Sequence, residues 1–381
     1  MDIFLTFTEG MKGVKIFMKI LALYLPQFHE VEENNRWWGK GYTEWTALKA
    51  AKKYSKLQKQ PRVPLGKDYY DLSNVEVIRR QAALARKYGI DGWVIYHYWF
   101  KGKKMLYKPV ELLLENPDIN INYCFSWANE SWRKNWFMGN SELLIKQEYG
   151  DEDDWKNHYS YLRQFFHDPR YIKQGNSPVF IIYNTLDIGN DFNRMFGYYR
   201  KLAKEDGFDD LYIVQTLKFP LTKRKLDVDA YFLYEPGYSS MILQPLFTIL
   251  YDKFKTLLIR NMNKFLGTKV VERKRDFKRL AKIIVENNKE YDKPVIRGLF
   301  TDWDNTPRRA TRRGSLFFYN SNPNNFEIYF DKLVEKAKKN NEEYIIINAW
   351  NEWAEGAHLE PDEEYKFGYL EAVKNVVEKY R

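Results

Sequence analysis

Eight apolar runs of strand length recur along this chain of 381 residues, and segments with helical spacing of apolar residues lie between them. Parallel strands that alternate with helices are buried on both faces, so they read as continuous apolar runs. Eight such units predict an α/β fold, a (β/α)8 barrel of the TIM type, which reaches this length as one domain when it carries insertions. The predicted strands are 20–25, 92–96, 121–125, 179–183, 211–215, 230–233, 295–299 and 344–348. The clearest amphipathic segments are 75–87, 155–166, 194–204, 275–287 and 326–339.

We expect a single (β/α)8 domain over residues 18–381 and an N-terminal extension over residues 1–17. The extension lacks the basic start, the apolar run and the small-residue cleavage site of a secretion signal. The single cysteine, Cys124, lies in an apolar run and excludes an internal disulfide, which suits a reducing compartment. The sequence therefore predicts a cytoplasmic protein.

Polar and aromatic side chains cluster where the predicted strands end. In this barrel fold, functional groups lie just beyond the C-terminal ends of the strands, so the clusters are expected to converge on one mouth. A long first loop over residues 30–64 is expected to roof that mouth. The expected ligand contacts are Tyr24, Gln27, His29, Trp45, His97, Tyr98, Trp127, Asn129, Glu130, Trp132, Asp302, Trp303, Trp350 and Asn351.

The residue types in these clusters favour a sugar ligand, because aromatic faces stack on sugar rings while amides and acids bind hydroxyl groups. The chain holds 12 Trp, 29 Tyr and 25 Phe, more aromatic surface than a core requires. Segment 127–132 places Asn129 and Glu130 between two indoles. The alternative is that these indoles belong to the core and that Glu130 caps a helix. A structural role is equally open for His29 and His97.

Two acids, Glu352 and Glu355, follow the eighth predicted strand and are framed by Trp350 and Trp353. In a helical turn, residues three apart lie on one face about 5 to 6 Å apart, so both acids can serve one bond. Retaining glycoside hydrolysis requires carboxyl groups about 5 to 5.5 Å apart, one protonated and one ionised. Apolar neighbours would raise one carboxyl pKa, and mutual repulsion would separate the two titrations. The alternative is a solvated pair at a helix start.

Asp302 and Asp304 flank Trp303 after the seventh predicted strand. Such a pair could chelate a divalent ion, as in nucleotide-sugar transferases, but we expect it to bind hydroxyl groups or Arg308 instead. No grouped histidine and cysteine spacing indicates a zinc site. We therefore expect no metal site.

The net charge of +10 favours anionic partners. No zinc-finger, RNA-recognition or helix-turn-helix pattern accompanies it, so nucleic acid is not expected. Residues 238–274 read as a basic amphipathic insertion, with apolar residues at helical spacing over 241–258. Its helix either packs on the barrel, which we favour, or lies on an anionic membrane as a peripheral anchor. The oligomeric state is left open.

Four ordered motifs, 24–29, 41–45, 127–130 and 350–356, resemble those of the WbsX-type proteins, which are similar to glycoside hydrolase family 99. The resemblance spans residues 18–375. It implies a (β/α)8 barrel that acts on glycans. Bacterial WbsX-type proteins are associated with surface or O-antigen polysaccharides, and family 99 contains endo-acting α-mannosidases and α-mannanases.

The resemblance also implies roles for the two acids. In family 99, the first acid of the matching motif takes a proton from the 2-hydroxyl of the sugar, which attacks the anomeric carbon and forms a 1,2-anhydro sugar. The matching residue is Glu352. The second acid protonates the leaving oxygen and then activates water or an acceptor, and it matches Glu355. Net retention without a metal or cofactor follows.

The sequence thus predicts a retaining glycoside hydrolase or transglycosylase whose substrate is an oligosaccharide or polysaccharide, either a bacterial polysaccharide or a mannose-type glycan. One alternative is a nucleotide-sugar glycosyltransferase of O-antigen or surface polysaccharide biosynthesis. The lack of a glycine-rich phosphate loop after a strand counts against it. A second alternative is a non-catalytic glycan-binding protein, which the position of the acid pair disfavours.

Overall fold

The computed structural model describes residues 18–133, 142–218 and 225–381, so the predicted extension over residues 1–17 lies outside the described residues. In the described ranges, eight parallel strands follow one another in chain order around a closed barrel, which confirms the predicted fold. The assignment of residues 18–381 to one domain stays a prediction. The barrel strands are β1 (Lys19–Tyr24), β2 (Gly92–Phe100), β3 (Asn122–Trp127), β4 (Ser177–Ile182), β5 (Tyr212–Leu217), β6 (Ala230–Leu233), β7 (Val295–Phe300) and β8 (Tyr344–Asn348).

Closure of the barrel places β1 between β2 and β8. Leu21 pairs with Gly92 of β2, and Ala22 pairs with Ile347 of β8. All nine residues of β2 and all five of β8 are buried, because one face fills the barrel and the other meets the helices. The strand β2 runs four residues past its predicted end, since Lys103–Met105 pairs antiparallel with that end.

The helices at the five predicted amphipathic segments bury one apolar face, as their spacing predicts. In α3, for example, Val77, Ile78 and Ala82 are buried, and the Asn74 side chain caps the start by accepting from the Glu76 amide. The helices are α1 (Glu32–Trp38), α2 (Glu44–Lys49), α3 (Val75–Lys87), α4 (Lys108–Glu115), α5 (Glu152–Phe166), α6 (Thr185–Ile188), α7 (Phe192–Glu205), α8 (Leu246–Phe265), α9 (Phe277–Glu286), α10 (Thr306–Arg309), α11 (Pro323–Lys339) and α12 (Gly368–Tyr380).

Short helical turns and short strands lie in the loops between the larger elements. The short helical turns are Leu65–Lys67, Gly189–Asp191, Ser239–Leu243 and Trp353–Glu355. The short strands are Lys103–Met105, Trp132–Arg133, Leu143–Ile145, Lys173–Gln174, Arg273–Asp276, Leu316–Tyr319, Asn351–Glu352 and Ala357–His358. The long first loop contains α1 and α2, and the insertion after β6 contains α8, so both predicted additions to the barrel are present.

The expected packing of the insertion helix on the barrel through its apolar side is wrong. The sequence analysis favours an apolar face against the barrel, whereas no residue of α8 is buried and Phe247 is 79 % exposed. The physical reason is that polar side chains of α8 make the contacts with the rest of the protein. Asp252, for example, accepts a hydrogen bond from Arg275 at 2.9 Å.

Close approach of two barrel strands makes Gly298 in β7 hard to replace. A Cβ at this position would lie 2.3 Å from the carbonyl oxygen of Leu233 in β6. We expect Gly298→Ala to lower the free energy of unfolding by about 1–3 kcal/mol, because backbone has to move. The matched control is Gly197→Ala in α7, where a Cβ meets nothing within 4 Å. Urea denaturation should show the control unchanged or more stable, and equal stability of the two variants would contradict this packing.

Candidate active site

The chain folds back on itself after β8, and this hairpin carries the acid pair. Asn351–Glu352 pairs antiparallel with Ala357–His358, and Trp353–Glu355 forms one 3₁₀ turn between them. Side chains three residues apart lie on the same side of such a turn. Glu352 just before the turn and Glu355 at its end therefore line the same cleft. The helical turn that the spacing of the two acids predicts is present as a single 3₁₀ turn.

Gly356 ends this turn in the left-handed region, at φ 70°, which favours glycine. Its amide donates to the carbonyl oxygen of Trp353 at 3.0 Å. The same oxygen accepts from the Gln60 side-chain amide at 2.7 Å, and a Cβ on Gly356 would lie 3.2 Å from that amide nitrogen. Glycine and a first-loop glutamine together hold the turn.

Arg308 of α10 binds three carboxylates. Its Nη2 lies 2.8 Å from Glu352 Oε1 and 3.0 Å from Glu44 Oε2. Its Nη1 lies 3.0 Å from Glu355 Oε1. At most 17 % of any of these four side chains is exposed, so the contacts are charge-assisted hydrogen bonds in a poorly solvated place. One guanidinium thus joins the first, seventh and eighth strand-end loops.

Burial is the main cause of the pKa shifts of Glu352 and Glu355. It raises the pKa of Glu352 well above its usual value and also raises the pKa of Glu355, while the Arg308 guanidinium opposes both shifts. The charge of Glu44 adds to the rise in both acids and that of Glu355 adds to the rise in Glu352, whereas Arg309 lowers the pKa of Glu355. Low dielectric surroundings disfavour ionisation of both acids at once, so the pair tends to retain a proton.

The acid pair lies on the wall of a cleft of about 780 Å³. Aromatic side chains form much of the remaining wall, and they contact one another edge-on. The Tyr183 ring centroid is 5.8 Å from that of Tyr96 and 5.6 Å from that of Tyr234. The aromatic residues lining the cleft are Trp37, Trp38, Tyr42, Tyr96, Tyr98, Trp132, Tyr183, Tyr234 and Trp303.

A second polar group in the cleft contains Glu130 and Lys218. Glu130 Oε1 accepts from Lys218 Nζ at 2.7 Å and from Asn184 Nδ2 at 3.0 Å. The ammonium also lies 3.4 Å from the Tyr183 ring centroid, within the range of a cation–π contact. Burial lowers the pKa of Lys218, and Glu130 opposes that shift.

Asp302 pairs with Arg62, which corrects the expected contact with Arg308. Arg62 Nη2 lies 3.1 Å from Asp302 Oδ2, and Ser321 Oγ donates to Asp302 Oδ1 at 2.6 Å. Asp302 is buried beside that guanidinium, and Arg308 is already bound to the glutamates. Asp304 accepts from Thr306, and within the described ranges no group of three or more His, Cys, Asp or Glu is placed to hold a metal ion.

The structure divides the predicted site residues into two groups. One group lines the cleft: Gln27, Tyr98, Glu130, Trp132, Trp303, Glu352 and Glu355. The other group is buried and does not line it: Tyr24, His29, Trp45, His97, Trp127, Asn129, Asp302, Trp350 and Asn351. We expect the second group to shape the cleft rather than to touch a ligand.

Contacts of the buried group support this expectation. Asn351 exchanges two hydrogen bonds with the backbone of Leu25, at 2.7 and 3.0 Å, which joins the hairpin to the end of β1. His97 Nε2 lies 2.7 Å from His158 Nε2, and burial lowers the pKa of His97 to about 3. One imidazole donates to the other, and burial lowers the pKa of both rings, which favours their neutral forms.

Several cleft residues are absent from the predicted contacts: Glu44, Tyr96, Tyr183, Lys218, Tyr234 and Arg308. Tyr96 and Tyr183 end predicted strands and Tyr234 follows one, so the strand-end rule contains a signal for them. Arg308 carries no such signal, because it is one of four arginines within 308–313 and its partner Glu44 is 264 residues away.

An acid pair beyond the last strand, facing an aromatic cleft, defines a carbohydrate-active (β/α)8 protein. The chain belongs to the WbsX family: the sequence model of that family, described as Glycosyltransferase WbsX, matches residues 20–373. Two curated relatives, both called "Uncharacterized protein WxcX" and found in two strains of Xanthomonas campestris pv. campestris, are 29 % identical over 363 residues. The match covers 94 % of this chain and 49 % of each relative, so the chain spans about half their length.

Solved structures share the fold. The GH99 endo-alpha-mannosidase from Bacteroides thetaiotaomicron is similar with a TM-score of 0.56 and 14 % identity, covering 95 % of this chain and 97 % of that one. A glycoside hydrolase-like protein is similar with a TM-score of 0.57 and 14 % identity, covering 98 % of both chains. Within the described parts of the chain, no helix has the length and apolarity to cross a bilayer.

Removal of the shared cation should destabilise the protein in a pH-dependent way. We expect Arg308→Met to lower the free energy of unfolding at pH 8 by about 3–5 kcal/mol, because buried carboxylates lose their partner. The pKa values of Glu352 and Glu355 are raised on folding, so the loss should shrink as pH falls to 5 and they take up protons. Urea denaturation at both pH values measures the effect.

The matched control is Arg194→Met, which removes an exposed arginine paired with Glu152. That change should alter the free energy of unfolding by less than about 1 kcal/mol at either pH. A loss in Arg308→Met that equals the control, or that grows as pH falls, would contradict the charge balance described here.

Proposed function

We propose that this protein cleaves or transfers glycosidic bonds in a bacterial polysaccharide or a mannose-type glycan, with net retention. The observation that carries the proposal is the acid pair: Glu352 and Glu355 share one buried arginine and face an aromatic cleft. The family and the similar solved endo-alpha-mannosidase support glycan chemistry.

The two acids have separate roles in this proposal. Glu352 removes the proton from the 2-hydroxyl of the bound sugar, and that oxygen attacks the neighbouring anomeric carbon. Glu355 gives a proton to the departing oxygen and later removes one from water or from an acceptor hydroxyl. The internal attack benefits from proximity, since the hydroxyl is already held beside the carbon.

Arg308 contacts both acids, at 2.8 Å for Glu352 and 3.0 Å for Glu355, and so favours the ionised form of each. Burial opposes this and raises both pKa values, more strongly for Glu352, so a proton is available to the pair. The assignment of base and acid therefore rests on the match to the family 99 motif. The tyrosines and tryptophans of the wall supply faces on which sugar rings stack.

A second candidate is transfer from a nucleotide sugar. The cleft is also lined by Arg273, Arg275 and Arg309, and guanidinium groups suit the two phosphates of such a donor. The family description as a glycosyltransferase agrees with this alternative. Activity that requires a sugar nucleotide and disappears on omitting it would favour this candidate over glycan cleavage.

Substitution of each acid tests the proposed roles on a glycan found active in a screen of surface polysaccharides and mannans for reducing-end release. We expect Glu352→Gln and Glu355→Gln each to lower kcat/KM by about 10²–10⁴-fold, because each removes a proton-transfer group. The matched control is Glu152→Gln, an exposed acid at the start of α5, which should leave kcat/KM unchanged.

An aryl glycoside with an acidic phenol separates the two roles. Its leaving group needs no proton, so Glu355→Gln should still release a burst of phenol, whereas Glu352→Gln should not. Unchanged turnover in both variants would overturn the mechanism. Tight glycan binding with no product from the unaltered protein would indicate a glycan-binding protein instead.

The pH dependence gives an independent check. Because Glu355 must be protonated in the first step, kcat/KM on the natural linkage should fall as pH rises through the raised pKa of this residue. The alkaline fall should be absent for the burst on the aryl glycoside. If both substrates showed the same fall at alkaline pH, the group that titrates would be one other than Glu355.

A further inference from the structure

The helix α8 turns its apolar side away from the protein. Phe254 is 61 % exposed and Phe265 is 74 % exposed. With 3.6 residues per turn, the exposed apolar residues fall on one continuous side of the helix. This side, called the apolar face of α8, consists of Leu246, Phe247, Leu250, Tyr251, Phe254, Leu257, Leu258, Met262 and Phe265.

Polar contacts hold α8 in this orientation. Arg260 Nε donates to Glu272 Oε1 at 2.7 Å, and the Glu272 side chain is 1 % exposed. Asn263 Nδ2 donates to the carbonyl oxygen of Val270 at 2.7 Å. A surface helix of a globular protein ordinarily has the opposite arrangement, with its apolar side inward. The outward apolar face is therefore anchored by specific contacts on the inward side.

Exposed lysines border the apolar face of α8. By the same helical geometry, Lys253 and Lys264 lie along one margin and Lys255 lies along the other. A lysine in this position can bury its methylene groups in an apolar layer while its ammonium stays at the polar boundary. This composition of an aromatic and aliphatic face with basic margins is that of helices that lie in a bilayer interface.

The helix stands at the rim of the cleft. Ser240 and Met241 line the cleft just before α8, and Arg273 and Arg275 line it just after. The segments that flank α8 on both sides therefore contribute to the wall of the cleft.

We propose that the apolar face of α8 docks the protein on an anionic bilayer, with the phenyl and leucyl side chains in the acyl boundary and the lysines among the headgroups. A membrane fits better than a second copy of the chain. Two-fold pairing through this face would bring the lysine margins of both copies together, whereas anionic lipids neutralise them.

Docking on a membrane also indicates a class of glycan substrate, and this inference rests on the proposed function. A glycan attached to a membrane lipid would have its sugars at the headgroup level, beside the cleft rim. Arg273 lines the cleft beside Arg275, which is paired with Asp252, and the Arg273 guanidinium suits an anionic group that joins the sugar to its lipid.

Vesicle flotation of the full chain tests the docking without any need for activity. We expect binding to vesicles of phosphatidylglycerol and phosphatidylethanolamine, and at least tenfold weaker binding to phosphatidylcholine alone. Phe247→Ser/Phe254→Ser should weaken the anionic binding at least tenfold. The control is Leu57→Ser/Ile328→Ser, which removes two apolar side chains elsewhere that are 55 % and 51 % exposed, and should bind normally.

A charge variant completes the test. Lys253→Gln/Lys255→Gln should weaken binding to anionic vesicles, while Lys201→Gln/Lys339→Gln, exposed lysines of α7 and α11, should not. The proposal would be overturned if the protein did not bind vesicles, or if the phenylalanine variant bound them equally well. It would also be overturned if the protein did not bind vesicles but formed a dimer in sedimentation that the phenylalanine variant abolished. Flotation measures membrane binding without a catalytic step, so its result does not depend on whether the protein cleaves a glycan.

Discussion

The charge of Arg308 is the constraint on which the candidate site depends. Three carboxylates, one from the loop after β1 and two from the loop after β8, converge on this guanidinium, which follows β7 in the closed barrel. Without the cation, the acids would repel one another in a place that water reaches poorly. Without the acids, a buried arginine would lose three ion-pair partners. The pair of glutamates and the cation therefore define one electrostatic unit.

The first loop is attached to the barrel through contacts close to this unit. Gln60 donates to the turn that separates the two acids, and Arg62 binds both Asp302 and Asp362. These groups are buried, so each contact excludes water and fixes the loop in one position. The aromatic wall contributed by the same loop is thereby held at a set distance from the acids.

Much of the fold could be predicted from the sequence, and less of the site. All eight strands could be found because burial on both faces leaves continuous apolar runs, as in β8. The acid pair was visible through its spacing at the end of β8. The partner of those acids was not, since ion pairs such as Arg308–Glu44 join residues 264 positions apart. The spacing in α8 revealed an apolar face, but spacing does not say whether that face points inward or outward.

The distribution of the site along the chain has a consequence for biosynthesis. Glu44 lies near the start of the barrel, Arg308 follows β7, and both acids of the pair follow β8. A nascent chain that ends before β8 contains the roof and the cation but neither Glu352 nor Glu355. The arginine would then face Glu44 in an open, solvated sheet. The acids acquire their buried partner only when the eighth strand closes the barrel, so the centre assembles after the other seven strands have been synthesised.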